Sequence, residues 1–345
     1  MMAVSINDFE KILRCASEAG IADVHIRADE PVYWKRGDVL SPLKQYVPTN
    51  EDMYRMMKKF ITAETLTEIQ ENGAANSAMQ MGDWRYRVHS YKKGGGIALA
   101  VRTMPRNIPE LSSLGQAEMA GRFLEYTQGL LLITGATGAG KSTTVASMLE
   151  LWNRQKSLHI LTLEDPVEYQ LSSGQCLVSQ LEKGRDFYSY SQAVENAMRQ
   201  SPDIIMVSEM REVDTVRAVL NAAVSGHYVI ATMHAGSVAE AAERLISMYP
   251  AEQQSMARSL MASSLRGICT QQLVGGRGGI KECAMECLHA NDAVRNVIRS
   301  GRYEQMYNIM QSGAGEGMQT MEKALEKLHR GIVSRGEAAS SRNAG

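Results

Sequence analysis

The sequence predicts an α/β protein of two domains: a larger one with a parallel sheet covered by helices on both faces, and a smaller α+β unit ahead of it. Three observations carry this. Four short apolar runs, at 129–134 (GLLLIT), 158–163 (LHILTL), 203–208 (DIIMVS) and 228–233 (YVIATM), alternate with helical stretches. Near-continuous apolar strands separated by helices mark a parallel sheet buried on both sides. Ahead of them, DWRYRVHSY alternates Trp84, Tyr86 and Val88 with Arg85, Arg87 and His89, which is the period of a half-buried strand. Finally, a chain of 345 residues exceeds the size at which single cores stop growing, so two cores are expected.

The N-terminal unit reads as a helix over 5–19, strands near 23–27 and 31–35, a helix over 50–71, and then a hairpin whose strands flank the turn KKGGG. The stretch TMPRNIPELSSLG, 103–115, has two prolines, small polar residues and no periodicity. The domains are therefore set at 1–103 and 116–345, joined by a linker over 104–115. After residue 250 the pattern reads as largely helical, with glycine-rich breaks at 275–279 and 312–317. A last helix carries Met321, Leu325 and Leu328 on one face, and the tail EAASSRNAG is expected to fray.

Composition narrows the function. With 44% apolar and 22% charged residues the chain is a folded globular protein. Lys plus Arg (37) nearly cancels Asp plus Glu (38), which argues against a nucleic-acid binder driven by bulk charge. Of five cysteines only Cys283 and Cys287 lie close together, with no second pair to complete a zinc tetrad, so a reduced, cytoplasmic protein is expected. The N-terminus lacks the apolar core of a signal peptide, and no run approaches the roughly 20 apolar residues that span a bilayer. Any membrane role is expected to pass through a partner. The 22 methionines are read as core fillers.

Directly after the first apolar strand comes GATGAGKS, which fits G-x-x-x-x-G-K-[ST] with a strand before it and a helix after. Glycines let backbone N–H groups turn inward around a phosphate, and the following helix adds its positive end. Gly135, Ala136, Thr137, Gly138, Ala139, Gly140, Lys141, Ser142 and Thr143 are thus the expected ATP cradle. Lys141 would reach the β- and γ-phosphates and the Ser142 hydroxyl would ligate Mg²⁺.

In such a sheet the carboxyl ends of the strands face the nucleotide, which explains three acids crowded into LEDPVEY. Glu164 is placed to orient the attacking water or take its proton, and Pro166 stops the strand. The next strand ends on Glu209, the layout of a Walker B carboxylate that reaches the magnesium shell, whereas Asp203 lies at the wrong end. His234 stands at the tip of the fourth strand, where it could sense the γ-phosphate. The assignment of base and metal ligand between the two glutamates stays open, with Glu164 preferred as base because it directly follows its strand.

Together, GATGAGKSTT, LEDPVEY, IIMVSEMRE and GHYVIATMHAGS resemble the Walker A, aspartate-box, Walker B and histidine-box segments of the secretion ATPase superfamily. AVRNVIRS (293–300) and GMQTMEKAL (317–325) are similar to segments of the PilT-type type IV pilus retraction ATPases, and ADVHI stands where that family usually has SDLH. The resemblance implies a RecA-like P-loop NTPase domain with a smaller PAS-like N-terminal domain, in a homohexameric ring that hydrolyses ATP with Mg²⁺ at an inner-membrane pilus platform protein. It also implies a cytoplasmic location, peripheral at the inner membrane, and arginines of the N-terminal domain that approach the nucleotide, for which Arg85, Arg87 and Arg102 are the candidates by position. The chain departs from the pattern at Ala22, at Ser208 where the family usually has glycine, and at Ser300 where it has glutamate. The missing tetracysteine module and extra N-terminal domain of the assembly and type II secretion ATPases favour the retraction branch.

The expected function is a motor for pilus retraction and twitching motility. Alternatives are an assembly-type or type IV secretion ATPase that exports substrates, a DNA-translocating RecA-like motor, and an ATP-gated scaffold without turnover. Closure and reopening about the linker would convert phosphate loss into motion.

Overall fold

The computed structural model describes residues 5–36, 39–82, 84–104, 107–172, 174–275 and 281–330. It divides into two compact units, residues 1–107 with 165–170, and residues 108–164 with 171–345.

In the first unit, α1 (Ile6–Glu18) begins at a capping box in which Ser5 and Asp8 satisfy each other's backbone N–H groups. Strands β1 (Asp23–Ile26) and β2 (Val32–Arg36) follow, then β3 (Val39–Leu43), which the sequence reading left out. The single helix expected over 50–71 is two, α2 (Asn50–Phe60) and α3 (Ala63–Asn72). The physical reason is a second N-cap: Thr62 leaves helical geometry and its hydroxyl accepts the Thr65 N–H.

β4 (Ala74–Met81), also unexpected, pairs with β5 (Trp84–Lys93), and β5 with β6 (Gly96–Met104). The β5–β6 turn is tighter than KKGGG suggested. Only Gly94 and Gly95 form it, both at positive φ, the geometry a two-residue hairpin turn demands. The sheet order is β3-β2-β1-β6-β5-β4, and Leu13, Val24, Met53, Met57, Tyr86 and Val101 fill the core between sheet and helices.

The second unit opens with two 3-10 stretches, Leu111–Ser113 and Gly115–Glu125, whose Leu111, Ala117, Ala120 and Phe123 are buried in its core. Its sheet contains β7 (Gly129–Thr134), β8 (His159–Glu164), β9 (Leu177–Glu182), β10 (Ile204–Val207), β11 (Tyr228–Met233), β12 (Leu265–Gly275) and β13 (Lys281–His289), in the order β13-β12-β7-β11-β10-β8-β9. Every pairing is parallel except the antiparallel β12–β13 edge. Along β7, Leu130 and Leu132 enter one core while Leu131 and Ile133 enter the other, so the alternation of strand side chains fills both faces.

The helices are α4 (Lys141–Gln155), α5 (Tyr190–Ala197), α6 (Val213–Val224), α7 (Val238–Ser247), α8 (Gln254–Ser264), α9 (Asp292–Ser300) and α10 (Met306–Ser312). The expectation of a largely helical chain after residue 250 is corrected by β12 and β13. Their cysteines, methionine, alanine and glutamines carry little strand signal, and pairing of β12 against β7 decides the conformation instead. Helical residues 321–330 bury Ala324 and Leu328, with Met321 and Leu325 packed alongside. The GGRGG break, beyond Gly275, and the tail expected to fray lie outside the described residues. Among the described residues no helix is long and apolar enough to cross a membrane.

Candidate functional site

The phosphate-loop segment hangs between two buried supports. Below it, Thr134 at the end of β7 bonds Thr270 of β12 through their hydroxyls at 2.7 Å. Gly135 sits at φ 146°, and a Cβ there would lie 2.4 Å from the Gln271 carbonyl oxygen, so only glycine fits. Gly140, also at positive φ, opens α4 directly onto Lys141. The Lys141 ammonium folds back over the loop and donates to the carbonyls of Gly135 at 2.8 Å and Ala136 at 2.9 Å. Gln271, buried on β12, donates its Nε2 to the Ala139 carbonyl at 2.6 Å. The sequence reading missed this residue because it took the segment for helix.

Strand register places the acids. Thr134 pairs with Met233, and Val207 pairs with Ala231 on one side and Leu163 on the other. Gly135, His234, Glu209 and Glu164 therefore leave adjacent parallel strands at one rim of the sheet, its carboxyl end. Asp203, at the opposite end, spends its carboxylate on the His159 N–H.

Glu164 is the last residue of β8, not the first beyond it, and is buried. Its Oε1 accepts from the Thr162 hydroxyl at 2.7 Å and from Gln180 Nε2 at 3.0 Å. Gln180 lies on β9, a strand that the sequence reading left out. Glu209 is half-buried, with Oε1 3.1 Å from His234 Nε2 and Oε2 2.6 Å from Arg211 Nη2. Burial would push its carboxyl upward, but Arg211, His234 and Lys141 together hold it below the usual carboxylate range. Lys141 and Glu209 thus feel each other across the rim.

The three arginines lie in the first unit. Arg85 Nε donates to the Val167 carbonyl at 2.8 Å, and Arg87 lies 3.7 Å from Glu168. Arg87 and Arg102 are cross-strand partners on β5 and β6. Arg102 pairs with Asp23 at 2.8 Å, and this bond, with the Glu168 charge, raises the hold on its proton against the cost of burial. Segment 165–170, which follows Glu164, is therefore gripped by β5. On α9, Arg295 donates to the carbonyls of Ala262, Ser263 and Ala290, while Arg299 bonds Asn296.

Over residues 5–286 the chain matches the family described as "Type II/IV secretion system protein". The chain belongs to this family. Within it, the chain is similar to the type IV pilus retractation ATPase PilT of Pseudomonas aeruginosa, with 36% identity covering 96% of this chain and 97% of the relative. It is also similar to a twitching motility protein of Neisseria gonorrhoeae, with 37% identity over 75% of this chain and 69% of the relative. The crystal structure of the pilus retraction motor PilT with bound ADP superimposes with a TM-score of 0.84 at 33% identity, covering 96% of this chain and 94% of that one. The fold class expected from the sequence, two domains with a RecA-like ATPase domain, is the fold of this family member.

Proposed function

We propose that this protein is an ATP-hydrolysing motor that powers type IV pilus retraction. The observation that carries the reading is the Glu209 carboxylate, in contact with His234 and in the field of Lys141, at the rim where the phosphate loop begins. The likeness to PilT over nearly the whole of both chains gives the hydrolysis its mechanical purpose.

The loop fits a polyphosphate, since the glycine at 135 keeps the turn free of a Cβ and Lys141 brings its ammonium over the loop. Lys141 draws charge from the β- and γ-phosphate oxygens, and Glu164 orients the attacking water and receives its proton. His234, tied to Glu209, reports on the γ-phosphate position. Bound magnesium supplies neutralisation of charge developing on the phosphate oxygens. Ser142 and Glu209 would hold it. The fit is chemical: an ionised carboxylate offers roughly four acceptor positions, so Glu209 keeps room beside Arg211 and His234. Arg85, Arg87 and Arg102, which here meet the Val167 carbonyl, Glu168 and Asp23, would have to exchange these partners to supply positive charge to the transferring phosphate, an effect worth about 10³ to 10⁵ in rate where an arginine is so used. The working assembly is a homohexamer that meets the inner membrane through a pilus platform protein, with residues 104–115 as the hinge between domains 1–103 and 116–345.

A deletion strain tests the reading. Loss of retraction with pili still present, restored by the wild-type chain and not by Lys141→Ala, is the expected result. Absence of surface pili in the deletion strain would favour an assembly motor and overturn it.

A further inference from the structure

Two carboxylates at the rim are placed by backbone, and the side chains that fix that backbone form a continuous path. The Lys183 N–H, just beyond β9, donates to the Glu164 carbonyl at 2.8 Å. The Lys183 ammonium lies 5.3 Å from the centre of the Tyr190 ring, within cation–π range. Phe187 meets the same ring edge to face at 5.1 Å, which leaves the ring little freedom to tilt. The Tyr190 hydroxyl in turn shares a hydrogen bond of 2.8 Å with the Ser208 hydroxyl, and Ser208 directly precedes Glu209.

Ser208 is held from three sides. Its N–H donates to the Leu163 carbonyl of β8 at 2.9 Å, and its own carbonyl accepts the Thr232 hydroxyl of β11. Thr232 also accepts the Met210 N–H at 3.0 Å through its carbonyl, so one residue of β11 grips the chain on both sides of Glu209. These backbone bonds fix the position of Ser208 along the sheet. Any residual rotation about the dihedrals between Ser208 and Glu209 would swing the Glu209 carboxylate. The hydroxyl bond to a braced tyrosine restrains it.

We infer that Tyr190 and Ser208 are positioning residues that fix Glu209 relative to Glu164, so that magnesium engagement at Glu209 depends on a hydroxyl pair that does not itself touch the carboxylate. The inference rests on the proposed nucleotide function and adds two residues to it. Neither hydroxyl contacts the Glu209 carboxylate, whose two oxygens face His234 and Arg211. Their effect passes through the backbone.

The test uses the full-length chain and two readouts. Binding of a fluorescent ADP analogue is followed as magnesium is titrated, alongside magnesium dependence of ATP turnover. Tyr190→Phe and Ser208→Ala are each expected to raise the half-saturating magnesium concentration about three- to tenfold, the range of one hydrogen bond. Analogue affinity without magnesium is expected to stay at the parent value and the melting temperature to fall by no more than a few degrees, which separates positioning from a general structural defect. Ser208→Thr keeps the hydroxyl and is expected within about twofold of the parent, and the double variant is expected to be no worse than either single one. Half-saturation points unchanged in both single variants, or effects that multiply in the double variant, would overturn the inference while leaving nucleotide binding intact. A parent chain that binds no analogue at any magnesium concentration would overturn the proposed function, and this inference with it.

Discussion

Glu209 Oε1 lies 3.1 Å from His234 Nε2, a side-chain contact that joins the segment after β10 to the segment after β11. Its second oxygen meets Arg211, and the net effect of these partners outweighs burial and holds the carboxyl low. A depressed folded-state pKa contributes stability above the unfolded value, and that contribution is lost as pH falls through the folded value. Under the proposed function, the same ionisation would let Glu209 hold magnesium. Arg211→Ala removes the nearest positive partner, so the acid limb of the turnover profile is expected to shift to higher pH while the neutral plateau changes less. Because the Arg211 side chain is 74% exposed, the shift should shrink as salt is raised. Turnover measured against pH at low and high ionic strength checks both statements, and an unmoved acid limb contradicts them.

Lys141 and Glu164 should fail in different ways. Lys141→Ala deletes the ammonium over the loop, and removal of one charge-stabilising group of this kind costs about 10² to 10³ in turnover. Affinity for nucleotide should fall with it. Glu164→Gln instead retains an oxygen for the Thr162 hydroxyl and removes the proton acceptor, so it is expected to bind ATP near parent affinity and hydrolyse it at least about 10²-fold more slowly. Equilibrium binding and single-turnover hydrolysis on the same preparations separate the two. Parent-level turnover in Glu164→Gln would transfer the base role to Glu209.

Much of this candidate site is legible in the sequence, because its parts are local. A glycine pattern between strand and helix, or an acid after four apolar residues, declares itself within a short window of sequence. What stayed hidden depends on sheet order. Gln271 reaches Ala139, Gln180 reaches Glu164 and Tyr190 reaches Ser208 only because β12 lies beside β7, β9 beside β8, and the start of α5 near the end of β10. No periodicity encodes these neighbours. β12 is hard to read for a related reason: a strand with Cys, Thr, Gln and Gln at its centre is stabilised by its partners, not by propensity. The helix break at Thr62, by contrast, has a local signal in the sequence, a capping threonine.

Gln271 offers a test of the loop's support. Its Nε2 holds the Ala139 carbonyl, whereas its Oε1 is buried with no hydrogen-bond partner among the described residues. Gln271→Leu removes an unpaired acceptor and orphans a carbonyl, two changes of similar size and opposite sign, so the net stability change should stay within about 1 kcal/mol. The loop, however, loses its anchor. Nucleotide affinity is expected to weaken about five- to tenfold at nearly constant melting temperature, measured by titration and thermal denaturation. A large drop in melting temperature with unchanged affinity would show that the glutamine serves the core alone.

Glu286 on β13 is buried and accepts the N–H of Val238, the first residue of α7, at 2.8 Å. Burial raises its carboxyl above the usual range, opposed by the N–H groups of Val238 and Met321. With a raised folded-state value, the unfolded chain releases this proton first as pH rises. Stability is therefore fullest below the ordinary glutamate range and is lost progressively as pH rises from there to the raised value. Glu286→Gln keeps an oxygen for the Val238 N–H and removes the buried charge, so its melting temperature should equal or exceed the parent's at neutral pH and fall behind as acidity increases. Glu286→Leu leaves the Val238 N–H at the start of α7 without its acceptor and should cost about 1 to 3 kcal/mol at every pH. Melting curves of the three proteins across the acid range decide the matter, since a glutamine variant that tracks the leucine variant would mean that charge at Glu286, and not its hydrogen bond, holds α7 in place.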